Sequence, residues 1–351
     1  MTPVRMGFVG AGYMGQVAHI ANYARLEEAE MLALAEPREA LRRRVAERYR
    51  MQRTYRDHRE LAADPDVEAV AAIMHEALVP PVVRDLLQAG KHVITEKPMG
   101  VASDECAELA ALAEQRGLVY QVGYMKRHDT GIRLAKGIID EAVSSGRYGE
   151  PGMARVWNFG GEWQYGIEGP ITTDEEVPED VSPRRPWPEW IPEDLQPLYG
   201  RVLNVDSHVT NLVRFLIEQD YEFEHVGWRG MDRPFVMQGW SEGRVNCVFE
   251  IGQLPAPRWY EGVQLFFEQA VVRIEPPPPL RRQSAARVVI EEMGDDPRVL
   301  EPEAPPGWAF AEQARHFLAS VRGEEEPVSP AASAVRDVEL AETAVRLVCA
   351  E

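Results

Sequence analysis

MGFVGAGYMG, Met6 to Gly15, decides the fold of this chain. Its apolar start, Met6–Gly10, reads as a buried strand, and Gly10-Ala11-Gly12-Tyr13-Met14-Gly15 is a GxGxxG that leaves this strand and opens a helix through His19 to Leu26. The first glycine permits a tight turn, the second lets backbone N–H groups approach a pyrophosphate, and the third lets helix and strand pack closely. The helix N-terminus adds partial positive charge. Glu36 closes the next apolar run, EMLALAE (30–36), at the place where a carboxylate meets the ribose hydroxyls of a dinucleotide.

Outward from this turn, VEAVAAIM (67–74), HVITE (92–96) and LVYQVGY (118–124) read as further strands. They alternate with helical patterns over Arg38–Arg50, residues 82–90, and a helix from Ser103, read as its cap, to about Arg116. Strands alternating with helices predict a parallel sheet covered on both faces. From about Gly152 the runs ARVWNFGG, VNCVFEIGQL, VQLFFEQAVVRI and ARVVIEEM follow one another with turns between them, which predicts a mostly antiparallel sheet. Glu162 to Gly200, rich in Pro, Trp and acids, reads as a lid, a binding loop or disorder. Residues 308–323 and 334–348 return to helical spacing and are expected to pack back on the first domain. The expected organisation is an α/β Rossmann domain over 1–124, an α+β substrate-binding and oligomerisation domain over 125–333, and a C-terminal helix, 334–351, packing back on the first.

The length of 351 residues suits two domains, and the net charge of −19 repels phosphate backbones and anionic membranes, so neither nucleic acid nor a membrane is an expected partner. Cys106, Cys247 and Cys349 lie far apart without CxxC spacing, which argues against a disulfide framework and a structural zinc site and points to a reducing cytoplasm. The opening run lacks the charged start and long apolar core of a secretion signal, and no eighteen consecutive residues are apolar.

Glu36 favours NAD, because its carboxylate repels the extra phosphate of NADP. Arg38 pulls the other way, since a guanidinium can stack on adenine or meet a 2′-phosphate. TEKPMG (95–100) follows the strand HVI at a carboxyl edge of the sheet, and Pro98 stiffens the turn that carries Lys97. An ammonium there can stabilise an alkoxide, or with a lowered pKa remove the proton itself. With its neighbours alone, Lys97 reads as a surface lysine.

GFVGAGYMG, AGKHVITEKPMG, QVGYMKRHD, SGRYGEP, LNVDSHVTNLVRFL and HFLASVRGEEEPVSPAASAVRDVELAETAV run in order over nearly the full length. Together they resemble the glucose-fructose oxidoreductase/inositol dehydrogenase (Gfo/Idh/MocA) family. The resemblance implies a Rossmann domain with an open-faced sheet domain that builds homodimers or homotetramers. It also implies oxidation or reduction of a secondary hydroxyl of a sugar or cyclitol with NAD(P), with Lys97 as catalytic lysine. Where the family carries Asp-x-x-x-His, this chain has Asn204 and His208. These share one face of a regular helix, whereas Asp206 points elsewhere unless the helix begins there or is irregular. His208 suits proton transfer near neutral pH.

Asn211 falls at a substrate-facing position of the family, and Lys126 and Arg127 fall near its active-site mouth. The family's Pro-Asn-x-x-His segment is replaced after Met74 by His75-Glu76-Ala77-Leu78-Val79, which leaves Met74, His75 and Glu76 to meet the cofactor mainly by backbone. The glycine turn with Tyr13 and Met14, together with Glu36, Arg38, Glu96 and Lys97, completes the expected cofactor contacts. Trp157, Trp163, Trp187 and Trp190, with Tyr165, lie in or beside the long segment, and Trp163 is the one expected to stack on a sugar ring. Alternatives to a dehydrogenase are a glycosidase working through transient oxidation by bound NAD and a non-catalytic NAD-binding regulator.

Overall fold

In the computed structural model, residues 2–164, 169–178, 181, 187–242, 244–255 and 257–350 are described. Counting only these, the chain forms two compact units. One takes Met1–Tyr124, Ile167–Trp190 and Phe310–Val338; the other takes Met125–Gly166, Ile191–Ala309 and Glu339–Glu351.

The first unit holds six parallel strands, β1 (Val4–Val9), β2 (Ala29–Ala35), β3 (Arg53–Tyr55), β4 (Ala69–Ala72), β5 (His92–Glu96) and β6 (Tyr120–Gly123). Their order is β3-β2-β1-β4-β5-β6, so the chain reverses direction across the sheet between β1 and β4. In an open α/β sheet, ligands bind beyond the strand ends at that reversal. β3 escapes a reading by apolar runs, because Arg53-Thr54-Tyr55 contains none. The helix after the glycine turn starts as a π-helical segment, Gly15–Ile20, and ends as α1 (Ala21–Tyr23), short of the expected Leu26. α2 (Glu39–Tyr49), α3 (His58–Ala62), α4 (Val79–Gln88) and α5 (Ser103–Gln115) follow. Ser103, expected as a cap, is the first helical residue of α5; Ala102 holds the cap position and Asp104 and Glu105 charge the first turn.

Phe8, Tyr23, Leu34 and Ile94 share one core with Ala314, Phe317 and Leu318 of the helix Ala309–Val321. That shared core corrects the expected boundaries. Residues 310–333, read as second-domain, belong to the first unit, because their apolar face buries against its sheet. The C-terminal helix, Ala331–Ala350, is divided, with residues from Glu339 onward in the second unit.

In the second unit, α6 (Thr130–Ser145) precedes β7 (Pro151–Gly160). Asp129 caps α6: its Oδ1 accepts the N–H groups of Gly131 at 2.9 Å, Ile132 at 3.1 Å and Ala286 at 2.9 Å. The end of the stretch expected to be a loop is helical, as α7 (Gln196–Arg201); a π-helical turn (Val202–Asp206) and α8 (Ser207–Ile217) follow, where a helix was expected. Seven strands complete the sheet: β8 (Glu222–Val226), β9 (Phe235–Ser241), β10 (Val245–Ile251), β11 (Tyr260–Phe267), β12 (Ala270–Glu275), β13 (Arg287–Glu292) and β14 (Arg298–Leu300). The order is β14-β13-β12-β11-β7-β10-β9-β8, antiparallel except for the β7–β10 pair. α6 and α8 pack on one face, while Val236, Trp240 and Tyr260 are exposed. Trp157 lies over Gly262, where an added Cβ would stand 2.1 Å from the indole, so this tryptophan packs on its own sheet. Among the described residues no helix is long and apolar enough to cross a membrane.

Candidate active site

At the carboxyl ends of β1, β2 and β4 the first unit encloses a cavity of about 810 Å³. Gly10, Gly12, Met14, Gly15, Glu36 and Arg38 line it, with Met74 and His75 beyond β4. Gly10 has φ +88°, and a Cβ there would lie 2.2 Å from the Ile73 carbonyl oxygen; at Gly15 it would lie 2.9 Å from the Gly10 oxygen. Around Gly12 nothing stands within 4 Å of such a Cβ. Two glycines are therefore demanded by the backbone and the third leaves it bare toward a ligand, which is the cradle a pyrophosphate needs. Among the expected cofactor residues, Tyr13, Glu76, Glu96 and Lys97 are not on this wall; Arg56–Arg59 at the start of α3 and the distant Val177 and Val181 are, and the sequence reading missed them.

Glu36 is buried and its carboxylate is fully engaged. Oε2 accepts the Ala11 N–H at 2.8 Å and Arg38 Nη2 at 3.1 Å; Oε1 accepts Arg38 Nε at 2.7 Å and the Arg38 N–H at 3.2 Å. A carboxylate offers about four lone-pair sites, and all four are used. The carboxylate read as meeting ribose hydroxyls is thus occupied by Arg38, which such a hydroxyl would displace. The hydrogen bond to Glu36 is also what chiefly raises the Arg38 pKa.

Lys97 stands half-buried where β5 ends, and the Lys97–Pro98 peptide is cis. Its N–H donates to Glu96 Oε2 at 3.2 Å, while Glu96 Oε1 meets His19 Nε2 at 2.8 Å. His19 is buried on the π-helical segment after the glycine turn, and its ring stands edge-on to Phe310 with centroids 6.0 Å apart. His19 thereby ties the glycine helix to the TEKPMG turn. The only signal for it in sequence is a polar side chain among apolar helix positions.

The remaining expected residues lie in the second unit. The π-helical turn Val202–Asp206 makes the segment irregular, and a π-helix sets i and i+5 on one face. Asp206 accordingly faces Arg201, whose Nε reaches its two oxygens at 3.3 and 3.2 Å, and accepts Asn158 Nδ2 at 3.0 Å. Burial pushes the Asp206 carboxyl up to about 6, against the pull of Arg201 and Asn158. Asp206 is wholly enclosed and anchors the turn, whereas Asn204 and His208 keep partial exposure. Arg127 Nε donates to Asn211 Oδ1 at 2.6 Å, so two expected substrate residues meet. Lys126 is buried and paired with Glu261. Trp163 is exposed; Tyr165 lies outside the described residues.

A parallel sheet in the 3-2-1-4-5-6 order, with a bare-backbone glycine turn at its reversal, defines a dinucleotide-binding Rossmann domain. Residues 4–124 match the model of an oxidoreductase family with an NAD-binding Rossmann fold, Gfo/Idh/MocA. It is 38% identical over 161 residues to an inositol 2-dehydrogenase/D-chiro-inositol 3-dehydrogenase of Shouchella clausii, covering 43% of each chain. To an inositol 2-dehydrogenase of Rubrobacter xylanophilus it is 28% identical over 258 residues, covering 72% of this chain and 71% of that one. Against several curated relatives the match spans only 42–44% of their length. The crystal structure of a 3-ketoreductase from Actinomadura kijaniata, in complex with NADP and TDP-benzene, shares the fold with a TM-score of 0.72 and 19% identity, covering 97% of this chain and 96% of that one.

Proposed function

We propose that the chain is an NAD-dependent dehydrogenase acting, in one direction or the other, on a secondary hydroxyl of a sugar, glycoside or cyclitol. The observation that carries this reading is the cavity built on the glycine turn, with Glu36 and Arg38 in its wall. NAD, when bound, supplies the acceptor for the hydride that leaves the carbinol carbon. Lys97 holds the substrate oxygen and stabilises negative charge on it, with His19 and Glu96 fixing the turn that carries it. His208 takes the hydroxyl proton, and Asn204, Asn211 and Arg127 bind neighbouring hydroxyls. Trp163 offers an exposed aromatic face to the apolar face of a ring. The inositol dehydrogenases among its relatives support a cyclitol or sugar as substrate class.

A second copy of this chain is the proposed partner, docking on the sheet face that exposes Val236, Trp240 and Tyr260, and the free cysteines suit the cytoplasm as the place of work. Growth of the reduced-nicotinamide absorbance with a panel of cyclitols and sugars tests the activity. Lys97→Met should lower kcat by about 10²–10⁴-fold on any substrate found. Turnover left intact by that change would sink the proposed mechanism.

A further inference from the structure

A segment from far along the chain closes one wall of the nucleotide cavity. Ile171 exchanges both backbone bonds with Gln16, its N–H donating to Oε1 at 2.8 Å and its carbonyl accepting Nε2 at 2.9 Å. Arg44 Nη1 donates to the Thr172 carbonyl at 2.8 Å, and Val177 and Val181 stand in the cavity wall. Between these anchors lies Glu175. Its two oxygens accept the N–H groups of Ala40 and Leu41, each at 3.1 Å, in the first turn of α2. The cap position of α2 is Arg38, which has no side-chain oxygen to serve those amides, so the capping carboxylate comes from Glu175.

This placement bears on cofactor choice. NADP differs from NAD by a phosphate on the ribose that meets the end of β2, beside the start of α2. A helix N-terminus and an arginine are what such a phosphate seeks. Here the α2 amides already hold a carboxylate, and Arg38 is hydrogen-bonded to Glu36 with the charge of Glu175 also acting on it. If a ribose hydroxyl displaces Arg38 from Glu36, Glu175 is a second carboxylate ready to receive it. We propose that Glu175 is a specificity-determining residue, which fills the anion position at the start of α2 and withholds both that position and Arg38 from a 2′-phosphate. The inference rests on the reading of the cavity as an NAD site.

Titrating the full chain with NADH and NADPH, by nicotinamide fluorescence, tests it without turnover. The wild-type protein should favour NADH by tenfold or more. In Glu175→Gln, which keeps one acceptor and removes the charge, the ratio of the two dissociation constants should fall at least tenfold through tighter NADPH binding. Thr173→Ala removes the hydroxyl that donates to Glu175 Oε2 at 3.0 Å and leaves the charge in place, so its ratio should stay within twofold of wild type. An unchanged ratio in Glu175→Gln, or an equal gain in Thr173→Ala, would overturn the proposal, Glu175 then being only a helix cap or the segment only a steric wall. A wild-type protein that binds both cofactors equally defeats this inference while the dinucleotide site stands; one that binds neither defeats both.

Discussion

Glu36 and Asp206 are both buried carboxylates held by an arginine, and they serve different ends. Glu36 accepts the Ala11 N–H from the glycine turn and the fork of Arg38, and it lines a cavity. Asp206 accepts Arg201 and Asn158 and has no exposed surface. The partner's place explains the contrast. Arg38 follows Glu36 by two residues at the open end of β2, so its side chain can swing away and be replaced by a ligand. Arg201 precedes Asp206 by one π-helical turn and is itself fixed, its Nη2 donating to the Gly252 carbonyl at 2.7 Å. The same ion pair is exchangeable in one setting and a rivet in the other.

If that contrast holds, Asp206→Ala should be the costlier change. It leaves the Arg201 guanidinium, about 10% exposed, without its counter-charge, and breaking a buried pair in this way costs about 3–5 kcal/mol. Chemical denaturation would read the loss; a cost under about 1 kcal/mol would show that the pair is no anchor. Next in size is a pH effect. An acid whose pKa is higher folded than unfolded keeps its proton longer in the folded chain. The stability this adds is full below the unfolded value near 3.8 and is lost as pH rises through about 6. The difference amounts to about 3 kcal/mol. Asp129, also raised by burial, contributes in the same direction, so the comparison to make is wild type against Asp206→Asn over pH 4–7. The variant should show the shallower decline, and parallel curves would refute the assignment.

At Glu36 the expected order of effects reverses. Glu36→Gln weakens charge-assisted bonds from Arg38 and should cost about 1.5–3 kcal/mol of stability, while NADH affinity falls about tenfold. Equal affinity in variant and wild type would mean that ribose hydroxyls do not replace Arg38 at all.

How much of this was legible beforehand depended on the range of the interaction. The glycine turn, the apolar strands and the rank of Glu36 at the end of β2 follow from neighbours in the chain, and each could be read. That Glu36 is saturated could not be read, because it turns on which way Arg38 folds back. Regular helical spacing set Asp206 aside from Asn204 and His208. The π-turn at Val202–Asp206 instead buries it against Arg201, and one extra residue in a turn leaves no mark in composition. Helical periodicity in 308–323 revealed an apolar face expected to pack back on the first domain, and it does so; the boundary drawn at 333 nevertheless left this helix in the second, because periodicity shows a face and not where one unit ends. The cap of α2 by Glu175 joins residues more than 130 positions apart, and nothing local at Arg38 announces it.

The smallest expected effect concerns what keeps the exchangeable site in shape. Gln16 is buried, and its Nε2 donates to the Ala11 carbonyl at 2.7 Å as well as to that of Ile171. One amide thus ties the glycine turn, whose Ala11 N–H is bound by Glu36, to the segment that carries Glu175. Gln16→Ala removes three hydrogen bonds, but Ile171 is only partly buried and water can take over its two groups, so the net cost should be about 1–2 kcal/mol. The informative measurement is amide hydrogen exchange. Ile171, Ala40 and Leu41 should all lose protection in the variant, because the segment and the α2 cap are seated together, while the Arg201–Asp206 turn keeps its own. Loss confined to Ile171 would mean that Glu175 holds α2 without help from Gln16, and the wall of the cavity would then rest on that carboxylate alone.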